Sequence, residues 1–150
     1  MNKIVLLFVL VFGSMTTQAQ ELTWETNINK AIEVSNKTNK PLLLFFTGSD
    51  WCIRLQKEVL KTPEFTKWAN ENVVLVELDY PRRTPQTAEI KKQNAELQQA
   101  FGIQGFPTVF FAKAITKDGK TNFQGLGNTG YVAGGPTAWL AVADGILKMK

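Results

Sequence analysis

The chain contains no histidine and a single cysteine, Cys52. The first absence excludes His-assisted nucleophiles and imidazole metal ligands. The second excludes an internal disulfide and any thiolate metal cluster built by one chain. In an exported protein a leftover thiol is buried, reactive, or paired between molecules. Charge of one sign is also scarce: 17 basic against 13 acidic residues leave a net +4, too mild for a nucleic-acid footprint. No apolar run approaches the ~20 residues that cross a bilayer. No cofactor and no metal are expected.

What is present begins with a leader pattern. Lys3 supplies a positive start, Ile4 to Phe12 is unbroken apolar sequence, and Thr17-Gln18-Ala19 offers small residues where a signal peptidase reads. Residues 1–19 therefore read as a secretory signal peptide and residues 20–150 as one domain large enough to enclose a full core. Export, to the periplasm or beyond, follows as an expectation, with no membrane span left after the leader is removed.

Along that domain, Leu22 to Asn39 has helical spacing, with Trp24, Ile28, Ala31 and Ile32 on one side, and stops before Pro41. Leu42 to Phe46 is apolar without alternation, as in a central strand covered on both faces. Cys52 to Lys61 reads as helix, with Leu55, Val59 and Leu60 inward and Arg54, Lys57 and Lys61 outward on a solvated face. Thr62-Pro63-Glu64 is a helix start of capping residue, first-turn proline and favourable acid. Val73 to Leu78 is the next strand, and the polar loop Asp79 to Pro85 follows it. Thr87 to Phe101 is a helix with Ile90, Ala95 or Asn94, and Leu97 inward, ended by Gly102. Strands are expected at Thr108–Ala112 and near Asn122–Leu126, joined by the hairpin signal Lys117-Asp118-Gly119-Lys120. A last helix runs from Thr137 to Lys148. Trp24, Trp68 and Trp139 read as core at helical spacing. The order gives an α/β protein with a mixed central sheet and helices on both faces.

The chemistry-bearing text is Thr47-Gly-Ser-Asp-Trp-Cys52 after the apolar strand, and Gly105-Phe-Pro-Thr108 about fifty residues on. Around them stand Lys40-Pro41, Lys57-Glu-Val59, Thr62-Pro-Glu-Phe65, Val74-Leu-Val-Glu-Leu-Asp79 and Gly130-Tyr131 leading to Gly134-Gly-Pro136. In this order the segments resemble the thioredoxin family over nearly the whole of residues 20–150, with a likeness to small secreted bacterial thioredoxin-like proteins related to disulfide isomerases. The resemblance implies a thioredoxin-like fold and a site made of Cys52, its surroundings Asp50, Trp51, Arg54 and Leu55, and a substrate-binding turn at Phe106, Pro107 and Thr108. It implies that the Phe106–Pro107 bond is cis and lies beside the cysteine, and that Phe106 offers backbone to an extended chain.

The site departs from the family pattern Cys-x-x-Cys. Anchored on Trp51, Cys52 is the nucleophilic cysteine and Leu55 replaces its resolving partner. Anchored on Leu55 and Lys57-Glu-Val59, the chain has lost three residues and Cys52 is the second, buried cysteine. A helix N-terminus stabilises a thiolate through its partial positive charge; Arg54 would add to this and Asp50 oppose it. The expectation is an accessible, reactive Cys52, against the alternative of an inert core cysteine. Reduction needs attack and then release by a second thiol, which Leu55 cannot supply. Phe46 also stands where thioredoxins bury an acidic proton carrier. The readings are therefore a monothiol protein acting on protein thiols and disulfides, with an external glutathione-like or substrate thiol as resolving partner and isomerisation compatible with it; a non-catalytic module holding extended peptide; and a dimer joined through Cys52. The Pro81-Arg82-Arg83-Thr84 loop reads as solvated surface that could steer acidic partners.

Overall fold

The computed structural model describes residues 21–149; the expected leader lies outside them. Within the described residues a five-stranded sheet has the order β1-β3-β2-β4-β5. Its strands are β1 (Trp24–Glu25), β2 (Leu42–Thr47), β3 (Val74–Asp79), β4 (Thr108–Lys117) and β5 (Lys120–Thr129). β1, β3 and β2 run parallel, and β4 and β5 are antiparallel to their neighbours. The helices are α1 (Ile28–Thr38), α2 (Pro63–Asn72), α3 (Ala88–Ala100) and α4 (Gly135–Lys148), with a short helical segment between β2 and α2.

β2 is buried at every position, because its alternate residues serve two cores. Leu43 and Phe45 pack with Phe65 and Trp68 of α2 and Trp139, Ala143 and Ile146 of α4. Leu42, Leu44 and Phe46 pack with Ile28 and Ala31 of α1 and Leu97 of α3. The cap foreseen for α2 is present, the Thr62 hydroxyl accepting the Phe65 N–H, and Thr87 caps α3 in the same way by accepting that of Ile90.

Two expectations are corrected here and one open alternative is resolved. The first helix does not begin at Leu22. Trp24 and Glu25 extend and pair with Leu75 and Val76, and Asn27 caps α1 by accepting from the N–H groups of Asn29 and Lys30. Trp24 is thus a half-buried strand residue, stacked on Phe65 with ring centroids 6.3 Å apart. In α3 it is Asn94 that turns inward while Ala95 is exposed. Asn94 donates to the Asp79 carbonyl at 2.9 Å and accepts from Gln93, so its burial carries no unpaired amide. β4 and β5 are longer than foreseen, because Asp118 and Gly119, both at positive φ (52° and 72°), close a tight hairpin that keeps the strands paired.

Candidate active site

Phe46 near the end of β2 pairs with Thr108 at the start of antiparallel β4. The loop that leaves β2 and carries Cys52 therefore emerges at the same end of the sheet as the turn that enters β4 through Phe106 and Pro107. The Phe106–Pro107 bond is cis. Trp51 joins the two segments: its indole meets the Phe106 ring edge-on at 5.8 Å between centroids. The indole N–H donates to the Tyr80 carbonyl at 2.9 Å, and Tyr80 itself lies 4.9 Å from Phe106. Gly48 is the floor of this arrangement, since a Cβ there would sit 2.1 Å from the Trp51 ring. Thr108 turns its hydroxyl to the Gly105 carbonyl at 2.7 Å, bracing the turn.

Cys52 sits just before the helical segment rather than within it, which corrects the expected helix from Cys52 to Lys61. Arg54 and Leu55 open the helix, and Gln56–Leu60 widens into a π turn. In that turn the Lys61 N–H donates back to the Gln56 carbonyl at 3.0 Å. The wider turn rotates each residue by less than the α-helical 100°, so Val59 and Leu60 both face the core with Leu55. Leu55 is fully buried, in the first turn after the cysteine.

The thiol of Cys52 is free and half-buried. Burial pushes its pKa up, opposed by a backbone hydrogen bond at Gly48. This is the reverse of the foreseen thiolate. The cysteine stands outside the helical turn, and its own N–H is committed to the Gly48 carbonyl at 2.6 Å. The two charged neighbours expected to tune it are engaged elsewhere. Arg54 pairs with Glu58 at 2.9 Å and lies over the Tyr131 ring at 4.2 Å. The Tyr131 hydroxyl donates to the same Glu58, and these two partners, Tyr131 first and Arg54 second, hold the Glu58 carboxyl below its usual range. Asp50 accepts the backbone N–H groups of Arg82, Arg83 and Thr84 at 3.0, 2.7 and 3.2 Å. The Arg82 bond leads in lowering its pKa, against some desolvation.

The structure thus brings Trp51, Cys52, Phe106 and Pro107 to one end of the sheet and sends Asp50, Arg54 and Leu55 to structural partners. Sequence reasoning gave no site role to Tyr80, Glu58 and Tyr131, and read Arg82 only as part of a solvated loop that could steer acidic partners. Arg82 places its guanidinium 4.1 Å from the Trp51 ring centre. Only loop composition marked it, and nothing in the linear text marks the contact. Ser49 donates from both its N–H and its hydroxyl to Asp79, at 2.7 and 2.5 Å, tying the cysteine loop to β3. Beneath the helical segment, a cavity lined by Trp24, Phe45, Gln56, Leu60 and Lys61 holds the half-buried Glu77. Burial first, and then the charge of Asp79, raises its pKa, against Lys61.

A mixed sheet of this order, with a tryptophan–cysteine loop facing a cis-proline turn, defines a thioredoxin-fold protein whose site holds one thiol. The chain belongs to the family described as thioredoxin-like domain, which it matches over residues 28–145. It is 35% identical over 135 residues to disulfide bond reductase DsbH of Chlamydia pneumoniae, an alignment spanning 88% of this chain and 76% of that protein. It is 36% identical over 92 residues to thioredoxin-related protein DsbJ of the same organism, across 59% of this chain but only 26% of the longer relative. A solved DsbH oxidoreductase superposes with a TM-score of 0.75 at 32% identity, covering 87% of each chain. A thioredoxin from Thermus thermophilus superposes with a TM-score of 0.59 at 17% identity, over 85% of this chain and 88% of that one, a likeness of fold alone.

Proposed function

We propose that this is an exported, single-thiol member of the family, acting on protein thiols and disulfides through mixed disulfides at Cys52. The observation that carries the reading is the meeting of the cysteine loop and the Phe106–Pro107 turn through Trp51. In this reading Cys52 is the nucleophile, and Leu55, buried in the first helical turn, stands in place of the resolving cysteine. The homologous disulfide bond reductase supports the substrate class.

Each step conserves electrons. The Cys52 thiolate attacks one sulfur of a substrate disulfide, forming a Cys52–substrate disulfide and expelling the other sulfur as thiolate. An external small thiolate, or a substrate thiolate other than the one expelled, then attacks the substrate sulfur of the mixed disulfide, forms a new disulfide with it and releases Cys52 as thiolate. With a substrate thiol the net result is isomerisation; with an external thiol it is a mixed disulfide between that thiol and the substrate, whose other sulfur leaves reduced. The raised thiol pKa makes the attack slow at neutral pH, since only the thiolate reacts.

That raised pKa also favours a second reading, a module that holds extended peptide at the Phe106–Pro107 turn without exchange. Incubation of the protein with a peptide disulfide, quenching in acid and mass analysis separate the two. A Cys52 adduct that a small thiol releases supports exchange, and its absence across pH 7 to 9 rejects exchange in favour of the module. Export is tested by the mass of the protein from its host, which should begin near Gln20; an intact Met1 form in the cytoplasm rejects it.

A further inference from the structure

We propose that the Arg82–Arg83 loop, held in place by Asp50, selects substrates in which an acidic extended segment flanks the exchanging cysteine. The proposal deepens the exchange reading and rests on Cys52 as its site.

Arg82 and Arg83 are both exposed beside the cysteine loop, and neither is in an ion pair among the described residues, whose pairs are Lys30–Glu25, Arg54–Glu58 and Lys92–Glu96. The acids nearest this end of the sheet are already engaged. Asp50 gives one oxygen to the Arg82 N–H and the other to the N–H groups of Arg83 and Thr84. Asp79 is held by Ser49 through both oxygens. Neither guanidinium thus has a carboxylate of its own, and that of Arg82 stands against the cysteine loop.

The backbone of the loop and the Arg82 side chain are placed by the fold rather than left to solvent. Three backbone bonds to one carboxylate fix the loop, and the Arg82 guanidinium rests 4.1 Å from the Trp51 ring centre. Trp51 adjoins Cys52 and meets Phe106. A substrate chain bonded to Cys52 and extended over Trp51 advances ~3.3 Å per residue, so side chains about two to four residues from its cysteine reach the two arginines. A planar guanidinium fork binds carboxylates bidentately and keeps its charge at every working pH.

The test measures binding apart from exchange. Cys52→Ser protein is titrated calorimetrically with two extended peptides that carry Ser in place of the substrate cysteine and differ only in Asp/Glu against Asn/Gln at positions two to four. The expected result is binding of the acidic peptide tighter by about three- to tenfold at low salt. The ratio falls toward one in 1 M salt, where the screening length is ~3 Å. The double substitution Arg82→Gln, Arg83→Gln, checked for folding by circular dichroism, should remove the preference. Asp50→Ala is the more searching variant. By charge alone, deleting an acid beside a basic patch strengthens binding of an anion; if Asp50 works by holding the loop, the preference weakens instead. Equal binding of the two peptides, or a preference that survives loss of both arginines, overturns the proposal, and tighter acidic binding by Asp50→Ala overturns the role of Asp50. In parallel, the unsubstituted protein is mixed with activated disulfides of the cysteine forms of the two peptides. An acidic preference in binding with no adduct at Cys52 upholds the selectivity and refutes exchange.

Discussion

Substituting Leu55→Cys tests the assignment of the missing resolving residue most directly. Leu55 has no exposed surface and lies among Val59, Leu60 and Phe65. Shortening it leaves a partial cavity, and the reduced variant should lose about 1–3 kcal/mol, a fall in melting temperature of roughly 3–12 °C for a domain of this size. Oxidation should then reverse much of that loss. A disulfide closing a loop of only four residues restricts the unfolded chain by about 2 kcal/mol at 25 °C in the chain-entropy treatment. Two melting curves, with and without reductant, should therefore differ by several degrees, and a count of free thiols should fall from two to none on oxidation. Insulin reduction driven by dithiothreitol should be weak in the unsubstituted protein and stronger in the variant, which can release a mixed disulfide internally. A folded variant that forms no internal disulfide and gains no reductase activity would refute the reasoning. The three-residue contraction, with Cys52 as the second family cysteine, would then explain the site.

Gly48→Ala should expel the Trp51 ring, because the added Cβ falls 2.1 Å from it; the expected outcome is a lower melting temperature and slower adduct formation at Cys52, read together by calorimetry and mass analysis. Alkylation of Cys52 by iodoacetamide should have its midpoint above that of a free thiol, since burial raises its pKa; a midpoint at or below that of a small-molecule thiol contradicts this. The same shift has a sign in stability: the contribution is present below the unfolded thiol pKa and is lost as pH rises through the folded one. Glu77→Gln should stabilise the protein near pH 7, because a carboxyl whose pKa is raised by burial contributes fully only below its unfolded value and loses that contribution as pH rises through the folded one. Partial exposure keeps the gain below about 1 kcal/mol, and urea melts at pH 4 and pH 7 should show it at the higher pH only.

Much of the fold was legible because its signals are local or periodic. The unalternating run of β2, the Thr62-Pro63 start of α2 and the Asp118-Gly119 turn each state a backbone preference within a few residues. β1 was missed for the opposite reason. A two-residue strand has no period to read, and Trp24 and Ile28 fall at helical spacing by coincidence; it is pairing with Leu75 and Val76, fifty residues away, that makes the strand. Asn94 was ambiguous because an inward amide is stable only when a partner waits for it, and that partner is the carbonyl of Asp79 on another element.

The site was legible in its residues and illegible in its allegiances. Cys52, Trp51 and the Phe106–Pro107 turn were found from text alone, since each carries an unusual residue type at a set spacing. Asp50 and Arg54 were assigned to the thiol because they are its neighbours in sequence. In the fold both turn away, Asp50 to the amides of Arg82, Arg83 and Thr84, and Arg54 to Glu58 and Tyr131. The effect is a division of labour. The charges nearest Cys52 in the chain hold loops, so the burial of the thiol is left to set its pKa. The charges proposed to meet a substrate are those of Arg82 and Arg83, thirty residues on and anchored to the cysteine loop by Asp50. A thiol that reacts slowly gains most from whatever holds the substrate against it, because the attack competes with dissociation of the complex. On this arrangement, selectivity for the flanking segment and the rate of exchange at Cys52 are linked, and loosening the Asp50 contacts should lower both together.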